Sequence, residues 1–170
     1  VSLGAAIALV GPSGGGKSTL ATQLGASAAQ RVGVLYVAVE EGHSVSVAER
    51  IERIGLDDLA RRRLRISDAR TVAEVEEDVV AAGDAAVVII DSATELRCSA
   101  TWLAETLHGR TWLAVAHSNV RGTAHGGGEI EHAVDVVVDV EDGNATPRKN
   151  RFGGMQPLAV WHSHMEDRNG

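Results

Sequence analysis

A chain of 170 residues with 44% hydrophobic content can bury a full core within one domain, and its single cysteine, Cys98, excludes an internal disulfide framework and any cysteine-based zinc site. The net charge of −7 argues against a domain that by itself grips nucleic acid generally, because that affinity comes from cationic contacts to phosphate. No apolar run reaches membrane-spanning length and the first residues lack a secretory signal, so no membrane partner is expected and a cytoplasmic setting is the default.

Residues 5–10 are a short apolar run, followed by Gly11-Pro12-Ser13-Gly14-Gly15-Gly16-Lys17-Ser18 and a helical stretch from Thr19 to about Gln30. The next run, 32–39, is dense in β-branched residues and ends in Glu40-Glu41-Gly42. Val45, Val47, Ile51 and Ile54 then mark one side of a helix that stops at Gly55. Beyond the basic patch Arg61-Arg62-Arg63 come a brief strand at 64–66 and a helix over 72–82. Residues 85–91 are apolar up to Asp91, the signature of a strand buried on both faces. A helix over 99–108 and a strand over 111–116 repeat the alternation. The glycine-rich segment 121–128 interrupts it, before a short helix near 129–133 and a strand over 134–140. Segments 147–152 and 157–163 are expected to form a hairpin. Strands alternating with helices predict an α/β fold: a mostly parallel sheet flanked by helices, ending in a β-hairpin, as one domain over 1–170.

The segment Gly11–Ser18 matches the phosphate-binding pattern G-x-x-x-x-G-K-[ST] in full. Glycines there let backbone N–H groups fold around phosphate oxygens at the positive end of a helix. Gly11, Pro12, Ser13, Gly14, Gly15, Gly16, Lys17, Ser18 and Thr19 are the expected nucleotide contacts. Lys17 is expected on the β- and γ-phosphates and Ser18 on Mg²⁺. Asp91, ending its strand, is the expected second ligand side chain for Mg²⁺. Glu40 is the candidate base that orients an attacking water, and Glu41, its neighbour, is expected to support it from behind. His117, ending the strand over 111–116, is the candidate sensor of the γ-phosphate. Lys149 and Arg151 lie two apart, so on a strand they would project together, and paired cations suit a transferring phosphoryl group.

Glu131-His132-Ala133-Val134-Asp135 followed by Lys149-Asn150-Arg151-Phe152-Gly153 resembles the RadA (Sms) family of RecA-like DNA-repair ATPases, in which an L-E-H-M-V-D segment precedes K-N-R-F-G. Residues 35–41 are similar to that family's glutamate-ended strand, and Ala116-His117-Ser118 to its sensor segment. The resemblance implies a RecA-like core that binds and hydrolyses ATP and assembles as a homo-oligomer with sites between neighbours. It implies that Lys149 and Arg151 act on the γ-phosphate of the adjacent subunit, and that segment 118–128, with Arg121, contacts single-stranded DNA. The pattern departs from the family in four ways. Within these 170 residues neither the four-cysteine zinc finger nor the C-terminal protease-like domain is expected, the stretch between Asp91 and 111–116 is short, and Val120 stands where the family has Lys.

Three readings follow. The first is Mg²⁺-dependent ATP hydrolysis coupled to DNA, and the second is a nucleotide-dependent assembly or regulatory module. The third is a small-molecule P-loop kinase, for which 61–65 is a candidate lid.

Overall fold

The computed structural model describes residues 4–40, 45–118 and 128–160. In chain order the elements are β1 (Ala6–Gly11), α1 (Lys17–Ala29), β2 (Gly33–Ala38), α2 (Val45–Ile54), α3 (Asp58–Arg63), β3 (Leu64–Ser67), α4 (Val72–Ala81) and β4 (Ala85–Asp91). There follow α5 (Ala93–Leu96), α6 (Ala100–Thr106), β5 (Thr111–His117), α7 (Glu129–Ala133), β6 (Val136–Glu141), β7 (Asn144–Asn150) and β8 (Leu158–Ala159). The strands form one sheet in the order β3-β2-β4-β5-β1-β6-β7-β8. The first six in that order pair in parallel, while β7 and β8 pair antiparallel at the end. This is the α/β architecture with a terminal hairpin that the sequence predicts.

Helices cover both faces, which is why the central strands are apolar without alternation. Leu35 and Val37 pack in one layer with Val75 and Val79 of α4 and Leu103 of α6. Val34 and Tyr36, pointing the other way, pack with Leu20 and Ala21 of α1 and Val47 of α2. Each buried Leu or Val side chain among these contributes about 1.5–3 kcal/mol. The start of α4 is set by a reciprocal cap, Glu74 N–H to Thr71 Oγ1 and Thr71 N–H to the Glu74 carboxylate, with Arg70 N–H donating to the same carboxylate. Those backbone donors hold the Glu74 carboxyl below its ordinary range.

Three local expectations are corrected. Helix α3 exists, because Asp57 accepts from Ala60 N–H at 2.7 Å and caps it, yet six residues are too few to display a helical period. The single helix expected over 99–108 is preceded by the separate α5. Ser92 caps α5, Arg97 ends it in the left-handed region at φ 55, and Ser99 caps α6. The terminal hairpin is also shifted. β7 begins at Asn144 and pairs chiefly with β6, because Asp142 (φ 48) and Gly143 (φ 74) make the tight turn that hairpins favour. Among the described residues its pairing with β8 joins Asn144 with Ala159 and Ala145 with Leu158.

The basic patch is not a lid. Residues 61–65 lie where β3 begins beside Val34, at the amino edge of the sheet, opposite the phosphate loop. There Arg63 donates to the Gln30 carbonyl at the end of α1, and Arg65 to the Ala81 carbonyl at the end of α4. These arginines satisfy helix-end carbonyls that lack intrahelical partners.

Candidate functional site

Parallel pairing sends the carboxyl ends of β1, β2, β4 and β5 to one edge. The register places Gly11 beside His117, Asp91 beside Val115, and Ala38 beside Asp91. A further bond, Val39 N–H to the Asp91 carbonyl at 2.7 Å, carries Glu40 alongside. Crevices outside the carboxyl ends of such strands are where open α/β sheets bind ligands. Here a cavity of about 240 Å³ is lined by the phosphate loop together with Lys17, Ser18, Thr19, Glu40, Arg50 and Asp91.

The loop turns into α1 through Gly16, whose φ of 105 a side chain would resist. No side chain caps α1, so its first N–H groups are left for a ligand. Lys17 is 5% exposed, and its Nζ donates to the Pro12 carbonyl at 2.6 Å. Burial pushes its pKa down, against the opposing pull of the Asp91 and Glu40 charges. Ser18 Oγ donates to Asp91 Oδ1 at 3.2 Å, bringing two hard oxygen donors together. Asp91 is 8% exposed; burial raises its pKa, while hydrogen bonds from Tyr36 and Ser18 and the Arg50 charge work to keep it ionised.

Glu40 Oε1 accepts from Ser92 Oγ at 3.0 Å and lies 2.8 Å from His117 Nε2. The backbone N–H of His117 is held by Thr94 Oγ1 at 3.0 Å. The candidate base and the candidate sensor are therefore in direct contact. Glu40, Glu95 and His117 bring three ligand-capable atoms within 4.8 Å of one another. An open cleft of about 1190 Å³ continues from Glu40 and His117 past Thr94, Glu95, Arg97 and Cys98.

Cys98, on that cleft, has its thiol pushed up to about 11 by burial. Alkylation by a maleimide is expected to be slow at pH 7–8, and its rate to climb with each further rise in pH as thiolate forms. Fast, pH-independent labelling at neutral pH would contradict that environment.

Lys149 and Arg151 are not brought to this cavity. Lys149 pairs with Val137, which pairs with Ala8 three residues before Gly11, so roughly 10 Å of strand separates them along the sheet. Both cations sit at the amino edge. Lys149 Nζ donates to the carbonyls of Glu131 (3.0 Å), His132 (3.3 Å) and Val134 (2.5 Å), capping the end of α7. Arg151 lies past the end of β7, which stops at Asn150, so the shared strand face expected for the pair does not exist. Its guanidinium pairs with Asp135 at 3.1 Å and remains 59% exposed. Asp135 in turn holds the start of β1 through Ala6 N–H. Glu41 and Arg121 lie outside the described residues.

Sequence reasoning missed Tyr36, Arg50, Ser92 and Thr94. Ser92 carried a signal, since Ser92-Ala-Thr-Glu95 has capping-box spacing directly after Asp91. Arg50 and Tyr36 carried none, because only the pairing of distant elements brings Arg50 to the cavity and Tyr36 to Asp91 behind it.

The sheet order, the phosphate loop entering α1 and the strand-end carboxylates are those of a RecA-like P-loop core. Residues 1–101 match the family described as AAA domain, and the chain belongs to that family. It is similar to the DNA repair protein RadA of Escherichia coli, with 32% identity over 178 residues and 93% of this chain covered. The RadA protein of Haemophilus influenzae is 28% identical over 182 residues, again with 93% covered. The chain spans 38% of the length of each of these relatives. Among solved structures, a KaiC-like protein from Pyrococcus horikoshii shares the fold with a TM-score of 0.69 at 21% identity, over 92% of this chain and 84% of that one. Among the described residues no helix is long and apolar enough to cross a membrane.

Proposed function

We propose that this core binds ATP with Mg²⁺ and hydrolyses it, that a neighbouring copy completes the site, and that turnover is coupled to DNA. The observation that carries the reading is the convergence of Lys17, Ser18, Asp91 and Glu40 on one cavity at the head of α1. The donor set suits a small hard cation, since a hydroxyl and a carboxylate oxygen lie 3.2 Å apart. Mg²⁺ held there offsets charge on the phosphates. The loop N–H groups and Lys17 hold the β- and γ-phosphates, with Lys17 giving up its bond to Pro12. Glu40 takes a proton from water as the water oxygen attacks the γ-phosphorus and the bond to the bridging oxygen breaks. Ser92 and His117 hold that carboxylate in place, and His117 registers its movement at the head of segment 118–128.

Lys149 and Arg151 face away from their own cavity, which supports a role on a neighbour's nucleotide. Of the two, Arg151 is the freer, because Lys149 is held by three carbonyls. That same tie favours the second reading, in which ATP serves assembly and catalysis is incidental. The kinase reading loses its lid. Coupling to DNA is supported by the similarity to proteins named for DNA repair.

ATPase rate against protein concentration, with and without single-stranded DNA, tests these points. Rate per molecule is expected to rise with concentration and DNA, and Arg151→Ala to lower it by about 10³-fold while dilute protein still binds ATP. A rate indifferent to concentration, DNA and the substitution would leave a bare nucleotide-binding core.

A further inference from the structure

Tyr36 is the chain's single tyrosine and sits in the apolar layer between the sheet and α1, 2% exposed. A phenylalanine would fill the same space, so packing alone does not account for a hydroxyl there. A buried hydroxyl costs stability unless it is bonded, and this one has a specific partner. Its oxygen lies 2.5 Å from Asp91 Oδ2, with Tyr36 as donor, because an ionised carboxylate only accepts. The other carboxylate oxygen, Oδ1, is the one facing Ser18 Oγ at 3.2 Å. The chain of contacts closes through Thr22, one turn after Ser18, whose Oγ1 bonds the Ser18 carbonyl at 2.7 Å and reaches the Tyr36 hydroxyl at 3.5 Å. Each oxygen of Asp91 thus has its own assignment, one to the core and one to the cavity.

We propose that Tyr36 is a positioning residue for the metal–nucleotide: it fixes the rotation of the Asp91 carboxylate so that Oδ1 is presented beside Ser18. This rests on the reading of Asp91 as a metal-holding side chain. Partners that orient a ligand from behind matter nearly as much as the ligand itself, and losing one costs about 10–100-fold in metal affinity. The hydroxyl touches neither phosphate nor metal, so its loss acts only through Asp91.

The test measures binding rather than turnover. Affinity for a fluorescent ATP analogue is followed in EDTA and across a Mg²⁺ titration, for the parent chain, Tyr36→Phe, Asp91→Asn and the double variant. In Tyr36→Phe the Mg²⁺ concentration giving half the enhancement is expected to rise about tenfold, with affinity in EDTA unchanged. Tyr36→Phe is expected to add nothing in the Asp91→Asn background. Superimposable Mg²⁺ titrations for the parent and Tyr36→Phe overturn the inference, as does an equal loss of affinity with and without Mg²⁺. If the parent itself gains nothing from Mg²⁺, the reading of Asp91 falls and this inference with it.

Because there is one tyrosine, growth on fluorotyrosine labels this position alone and supplies a measurement that does not depend on the variant folding. The fluorine resonance is expected to move when Mg²⁺ joins bound nucleotide. A resonance indifferent to Mg²⁺ overturns the proposal.

Discussion

Glu40→Gln is expected to stop hydrolysis while leaving nucleotide binding intact. Glutamine keeps the shape of the side chain and an oxygen able to accept from Ser92 Oγ, so the local geometry at the end of β2 is retained. What it loses is the capacity to take a proton from water. Removing a positioned general base costs about 10²–10⁴-fold in the chemical step, and single-turnover measurements with pre-bound ATP are the place to see it. Binding of ATP to Glu40→Gln is expected to match the parent chain. If the single-turnover rate falls by less than about tenfold, Glu40 is not the base, and its bond to His117 becomes its main role.

The second large effect is on folding. Gly11 lies where β1 ends, and a Cβ built on it would sit 2.0 Å from the backbone carbonyl oxygen of Val140 in β6. Backbone atoms in a central strand cannot step aside as a flexible side chain can. Gly11→Ala is therefore expected to cost more than about 4 kcal/mol, the range reserved for severe core disruption, and to yield little folded protein. Gly14 makes the contrast. Nothing lies within 4 Å of its would-be Cβ, and only its φ of 76 penalises a side chain. Gly14→Ala is expected to cost about 1–2 kcal/mol and to leave a folded chain. Denaturant unfolding of the two variants measures the difference. Equal stabilities would mean that β6 is not packed against the loop as described.

Much of the fold was legible because the signals are local. Residues 85–91 are uniformly apolar and end on Asp91, which marks a strand buried on both faces with a polar group at its tip. The period of Val47, Ile51 and Ile54 marks α2, and Gly55 stops it. The failures are equally physical. α3 and α5 are too short to show a period, and their caps, Asp57 and Ser92, were the available signs. The Asp142-Gly143 turn was a local signal that the expected hairpin over 147–163 overlooked.

The same division runs through the site. The sequence by itself determined the phosphate loop, the helix it opens and the strand-end carboxylates, since each depends on neighbours within a few residues. Only the tertiary structure decided what those groups touch. Tyr36 reaches Asp91, and Glu40 meets Ser92 and His117, through the order β2-β4-β5, which no local pattern encodes. It also gave two of the loop glycines a second purpose. The spacing suggests that they wrap phosphate, yet Gly11 and Gly15 also make room for the Val140 carbonyl. Lys149 and Arg151, two apart in a motif that reads as one unit, were sent to the far edge of the sheet by the antiparallel turn at Asp142-Gly143. Which residues form an element is settled by short-range chemistry, whereas what an element packs against is settled by strand order and register, and those belong to the whole chain.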